Sequence, residues 1–125
     1  MYRANLRTLM LGDPAAADDL AVHLQIDNVR RTRFKSGDIP ASDALLRALP
    51  AIRAPLAAIW GERDAFVAPR FEARRHTLAR FHPDVDFRVV AGAGHWVNYE
   101  AAETIDRALL EIFSRARPGD RPRSA

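Results

Sequence analysis

Two short apolar runs, "LAAIW" at 56–60 and "VDFRVV" at 85–90, constrain the fold of this chain more than anything else in it. The first is apolar on both faces, as a strand buried in a parallel sheet is. The second alternates Val85, Phe87 and Val89 with Asp86 and Arg88 before ending apolar, so it reads as a strand with one wetter face. Between them a helix is predicted from Pro69 to about Phe81, with Phe71, Leu78 and Phe81 inward. After them Ala102, Ile105, Leu109, Ile112, Phe113 and Ala116 recur at helical spacing, with charges opposite. Strand, helix, strand, helix implies a βαβ crossover and a parallel pair. Two strands are too few for a parallel sheet covered on both faces. The expectation is an α/β chain whose second half is the edge of a larger sheet, that is, a fragment.

Upstream the pattern is helical and less regular. Residues 1–12 read as irregular or a helix end. Asp13 and Pro14 suit a cap and a first helical position, and a helix is expected from there to about Arg33. Leu20, Leu24 and Val29 do not form a wide apolar stripe, so this helix is expected to cover something rather than lie in a core. "KSGDIP" breaks it. Ser42 then caps a short helix with Leu45, Leu46 and Leu49 on one face, ended by Pro50. The last residues, "RPGDRPRSA", have a composition that favours disorder. The organisation expected is a helical segment over 1–49, a βαβα unit over 50–116 and a disordered tail over 117–125.

Composition excludes several classes of function. At 125 residues the chain is one domain at most. No apolar stretch has the length needed to span a bilayer, and the N-terminus lacks the apolar region and cleavage site of a secretory signal. A cytoplasmic protein is therefore expected. There is no cysteine, hence no disulfide and no thiolate metal site. The net charge of +3 raises the question of nucleic acid, but eighteen of the nineteen basic residues are arginine and they lie scattered among sixteen acids. No single basic stripe results, and a nucleic-acid role is not expected.

In open α/β sheets, sites form beyond the carboxyl ends of the strands. Just past the first strand, "GERDAFVAP" offers Glu62, Arg63 and Asp64; just past the second, "GAGHW" offers His95. The glycines permit a sharp turn that projects the imidazole. An imidazole paired with a carboxylate is held in one tautomer and can take a proton from a hydroxyl. Either residue alone reads more simply as a turn or loop residue; the pair, one at each strand end, points to catalysis. His23, His76 and His82 read as surface or structural histidines. No two histidines have the i, i+4 relation of a helical metal site, and no carboxylate cluster accompanies them, so no metal is expected.

At these residues the chain resembles a known family. "PLAAIWGERDAFVAP", a helix, "FRVVAGAGHWVNYEAAE" and a terminal amphipathic helix look like the C-terminal portion of an α/β-hydrolase sheet. The resemblance implies a triad in chain order nucleophile, acid, histidine, with Asp64 as acid and His95 as base, and no cofactor. Glu100 matches the usual acidic position five residues after the histidine; Ala102 departs from a common proline. Residues 1–49 resemble the end of the helical lid of such enzymes. Within it Arg30, Arg31, Arg33 and Lys35 read either as a solvated helix end, where cations suit the dipole, or as lid cations facing an anionic substrate. Trp96 is similar to the residue after the histidine in members that hydrolyse carbon–carbon bonds of ring-cleavage products, and equally suits an apolar wall closing a pocket.

The nucleophile is missing from this sequence. Ser36, Ser42, Ser114 and Ser124 are its only serines, and none lies in the G-x-S-x-G turn. Without oxyanion donors, roughly 3 kcal/mol or more of transition-state stabilisation is absent as well. By resemblance the whole enzyme is a single α/β domain of about 200–250 residues. It would act on a small-molecule ester, amide or carbon–carbon substrate, and the chain alone is not expected to be active. The alternative is a catalytically inactive short module that associates, with itself or a partner, through an exposed sheet edge. Neither reading calls for a membrane.

Overall fold

The computed structural model describes residues 1–115; Ala116 and the expected disordered tail lie outside the described residues. The fold is mixed α/β, with one two-stranded parallel sheet flanked by helices, in the order the two apolar runs dictate.

The first residues, which read as irregular or a helix end, are helical. Helix α1 (Tyr2–Asn5) runs directly into a π-helical turn over Leu6–Met10. The single helix expected from Asp13 is instead two capped pieces. Asp13 accepts from the Ala15 N–H at 2.8 Å and caps only a 3-10 turn, Pro14–Ala16. Asp18 accepts from the Ala21 N–H at 2.8 Å and opens α2 (Asp19–Arg31). Each aspartate oxygen offers the local backbone an alternative to continuing the preceding turn, so the second cap starts a new helix. Helix α3 (Ala44–Ala48) follows, with Ser42 Oγ accepting from the Ala44 N–H at 3.3 Å. Of the three leucines expected to share its inner face, Leu49 is buried while Leu45 and Leu46 are exposed.

Strands β1 (Ala57–Gly61) and β2 (Asp86–Val90) pair in parallel, in register from Ala57 opposite Asp86 to Gly61 opposite Val90. Helix α4 (Phe71–Ala79) connects them, and α5 (Val97–Glu100) and α6 (Ala102–Arg115) follow β2. Both strands are only half-buried over most of their length. Helix α6 shows the consequence. It buries Ile105 and Ala108, but Leu109 and Phe113, expected to face inward, are exposed, Phe113 at 67%. A sheet two strands wide offers a backing for one narrow stripe and not for the full apolar face of the helix.

The best-buried cluster lies elsewhere. Leu6, Leu11, Ala17 and Ala21 pack together, with Met10, Val22, Trp96 and Tyr99 against them. The N-terminal segment is thus joined to the chain that follows β2. Leu6 is fully buried, and Leu6→Ala is expected to cost about 2–5 kcal/mol through lost transfer and a residual cavity. Urea unfolding followed by circular dichroism checks this; a loss below about 1 kcal/mol would mean that the cluster is not formed.

Candidate active site

The site begins where β1 ends. Beyond Gly61, the Glu62 N–H donates to Val90 O at 2.9 Å and the Arg63 N–H to Ala93 O at 2.8 Å, extending the parallel pairing past both strands. The chain then folds back, with the Asp64 N–H donating to Gly61 O and the Asp64 carbonyl accepting from Val67 and Ala68. This turn tucks the Asp64 carboxylate inside: the residue is 2% exposed, the one buried charged residue among those described. Oδ1 accepts from the Phe66 N–H at 2.8 Å, and Oδ2 lies 2.9 Å from His95 Nδ1.

The other side comes from β2. Gly92 adopts φ +75°, a left-handed conformation that glycine reaches without strain, and its N–H donates to Glu62 Oε2 at 2.9 Å. Ala93 and Gly94 are buried, and His95 emerges from the turn with its side chain 40% exposed. The two residues singled out in the sequence are therefore in hydrogen-bond contact, each delivered by the carboxyl end of one strand of a parallel pair.

This geometry has a definite chemical capacity. With Nδ1 donating to a buried carboxylate, the ring is held in the tautomer whose Nε2 carries a lone pair, the form of a general base. Both carboxylate oxygens are engaged, so the imidazole has a fixed partner. The Phe66 ring stands edge-on to the imidazole, centroids 4.8 Å apart at 67°, and walls one side. Phe66 was missed in the sequence; its place two residues after an acid, where an Asx turn presents its N–H, was the available signal.

Three glycines also contribute, through close approach of backbones. A Cβ on Gly61 would come within 3.0 Å of Ala93 and Gly94, and one on Gly94 would meet Gly12 N and, at 2.6 Å, Leu11 C. The end of β1, the histidine turn and the segment around Gly12 touch backbone to backbone. Gly12 was not identified from the sequence, because its partner lies more than eighty residues away.

Trp96 packs against the N-terminal cluster, edge-on to Tyr99 at 5.9 Å. With Leu24, Asn28, Asn98 and Tyr99 it lines a groove of about 220 Å³ between α2 and α5. Arg30 and Arg31 stand exposed in the last turn of α2, where Arg31 Nε donates to Asp27 at 2.8 Å. Among the described residues, neither is hydrogen-bonded to Asp64 or His95. His82 Nε2 lies 3.1 Å from Leu49 O, a structural contact. Among the described residues no cluster of three or more histidine or carboxylate side chains could hold a metal ion, and no helix is long and apolar enough to cross a membrane.

Tyr99 ties this region to α2, its hydroxyl donating to Asp18 Oδ1 at 2.7 Å. The Ala21 N–H and then this hydroxyl hold the Asp18 carboxyl below the usual 3.8, and the bond to Asp18 raises the Tyr99 hydroxyl above 10.0. A lowered carboxyl stabilises the fold above its unfolded value and loses that contribution as pH falls through the folded one; a raised phenol does so below its unfolded value and loses it as pH rises through the folded one. Tyr99→Phe is expected to flatten the stability–pH curve below about pH 4 and above about pH 10, by a modest amount because both groups face solvent. Urea midpoints across pH measure it; an unchanged curve would sink the prediction.

The structure thus sets a buried carboxylate and a histidine in contact at the carboxyl ends of two adjacent parallel strands of an α/β fold. Its relatives in sequence are named as hydrolases. The chain is 37% identical over 67 residues to the 2-hydroxy-6-oxononadienedioate/2-hydroxy-6-oxononatrienedioate hydrolase of Burkholderia vietnamiensis (strain G4 / LMG 22486), a match covering 54% of this chain and 22% of that protein. It is 34% identical over 64 residues to the protein of the same name from Paraburkholderia phymatum, covering 51% of this chain and 21% of the relative. The match thus spans about a fifth of the length of these curated relatives. They are α/β-hydrolase family enzymes, the family that the sequence resembles. No family model and no solved structure matches the chain.

Proposed function

We propose that this chain supplies the acid and base of a triad hydrolase, in which Asp64 orients His95 and His95 Nε2 takes the proton of a nucleophile contributed by residues that precede this sequence in the intact protein. The observation that carries the reading is the 2.9 Å contact between His95 Nδ1 and the buried Asp64 carboxylate. His95 accepts the nucleophile's proton during attack and returns it to the leaving group, while Asp64 stabilises the imidazolium formed between.

The substrate class follows from the chemistry in the relatives' names. A 2-hydroxy-6-oxo nonadienedioate has an unbroken carbon chain, so the bond water divides is a carbon–carbon bond beside the 6-oxo carbon. Hydroxide is added to the carbonyl carbon, giving a carboxylic acid, and the proton goes to the departing carbon. Such a substrate is a dianion, which favours the reading of Arg30 and Arg31 as lid cations and of Trp96 as a wall for the apolar carbon chain. The test is to express the reading frame with its in-frame upstream sequence and follow the loss of the conjugated dienol's absorbance. Turnover supports the proposal; a soluble intact protein that turns over neither this class nor simple esters or amides sinks it.

A second reading, association through the sheet edge, is favoured by the exposure of Val89, Leu110 and Phe113 beside half-buried strands. Sedimentation of the chain tests its self-association: a stable self-associated species indifferent to His95→Ala supports it, and a monomer removes it.

A further inference from the structure

We infer that Glu100 is a positioning residue for His95, acting by clamping the segment Met10–Asp13 onto the histidine turn. The inference rests on the reading of Asp64 and His95 as a functional pair. The Glu100 carboxylate accepts from three backbone N–H groups of two distant segments. Gly12 N lies 2.8 Å from Oε1 and 3.0 Å from Oε2, Asp13 N lies 2.9 Å from Oε1, and Gly94 N, immediately before His95, lies 2.6 Å from Oε2. A carboxylate has the acceptor capacity for all of these and no donor to repel them. Charge-assisted bonds of this kind are roughly twice as strong as neutral ones.

The clamp is reinforced on both sides of the turn. The Trp96 N–H donates to Met10 O at 2.8 Å, so the residues before and after His95 are both tied to the same segment. Arg63 Nη1 reaches Gly12 O at 3.3 Å, joining that segment to the loop that carries Asp64. The absence of side chains at Gly12 and Gly94 lets the two backbones meet closely enough for one carboxylate to bridge them. Among the described residues, the His95 side chain has a single hydrogen bond, to Asp64. Its direction is therefore set by the backbone on either side, and Glu100 holds that backbone without touching the ring. Neutralising Glu100 leaves the part-buried Gly12 and Gly94 amides facing a group that is half donor, and the turn loosens.

The experiment uses the full chain with its four histidines labelled with nitrogen-15. At alkaline pH, the imidazole spectrum of the unsubstituted chain is expected to show His95 in one tautomer, Nδ1 protonated and Nε2 bare. In Glu100→Gln that signature collapses to the average of two exchanging tautomers, while His82, anchored to Leu49 O, keeps its own. Asp64→Asn is measured in parallel. If it leaves His95 unchanged, the pairing of Asp64 with His95 fails, and this inference with it. If it shifts His95 but Glu100→Gln does not, the positioning role alone is overturned. Loss of the His82 and His95 signatures together in Glu100→Gln would also overturn it, marking Glu100 as a residue of general stability.

Discussion

Gly94→Ala is expected to destabilise the chain by about 3 kcal/mol or more, among the largest effects of any single substitution in it. The reason is the nature of the obstacle. The added Cβ would meet Gly12 N, Leu11 C and Met10 O, all backbone atoms of a segment pinned by its own hydrogen bonds. A flexible side chain could swing aside; three backbone atoms move only if the segment separates from the histidine turn. That would break the Trp96–Met10 bond and draw Gly12 and Asp13 away from Glu100. Gly92→Ala is the informative control. Its Cβ would meet nothing within 4 Å, and its cost is the left-handed conformation alone, about 1–2 kcal/mol. Urea unfolding of both variants decides the matter. Equal losses would mean that the contact between the Gly12 segment and the turn does not form.

If the proposed function holds, His95→Ala and Asp64→Asn in the intact protein are each expected to lower kcat by about 10⁴-fold with little change in KM, the pattern of groups that act in the transition state. The two act differently. Removing the imidazole removes the base. Asparagine at 64 keeps the shape but turns an amide N–H₂ or a weaker acceptor toward Nδ1, and the former favours the tautomer whose Nε2 is already protonated. Asp64 is 2% exposed and held by the Phe66 N–H and the imidazole, so bulk solvent has little access to the site of the lost charge. As the residues work as one unit, the double variant is expected to lose hardly more than either single one. Steady-state kinetics on the assay substrate measure all three. A fall below about tenfold for His95→Ala would remove it from the mechanism.

The pairing of Asp64 with His95 was legible in the sequence because each half of it is local. Short apolar runs mark the strands, the second of them alternating, a glycine marks where each strand ends, and a parallel pair brings both ends to one edge. Asp64 and His95 could be paired from those signals without coordinates, and the 2.9 Å contact agrees. Phe66 was less visible, since its role depends on the backbone N–H and on where the ring falls.

Helix limits were decided by competition that a linear reading weighs poorly. Asp13 and Asp18 are both good caps, and only the folded backbone chose Asp18 to open α2. In α6, the periodicity of Leu109 and Phe113 is real, yet they stand exposed because inward and buried are different things: a helix has an inner face by its sequence, and burial by its neighbours.

What the sequence determined by itself, then, was the succession of strands and helices, the parallel pair and the acid and histidine at its carboxyl edge, since these follow from spacing along one stretch of chain. Tertiary structure alone decided that residues 6–21 form the best-buried cluster, that Gly12, Gly61 and Gly94 meet, and that Glu100 bridges Gly12 and Gly94. The Gly12–Glu100 contact joins residues 88 positions apart. Nothing in the local pattern of either segment specifies its partner; shape and hydrogen-bond complementarity do so only once the backbone has brought them together.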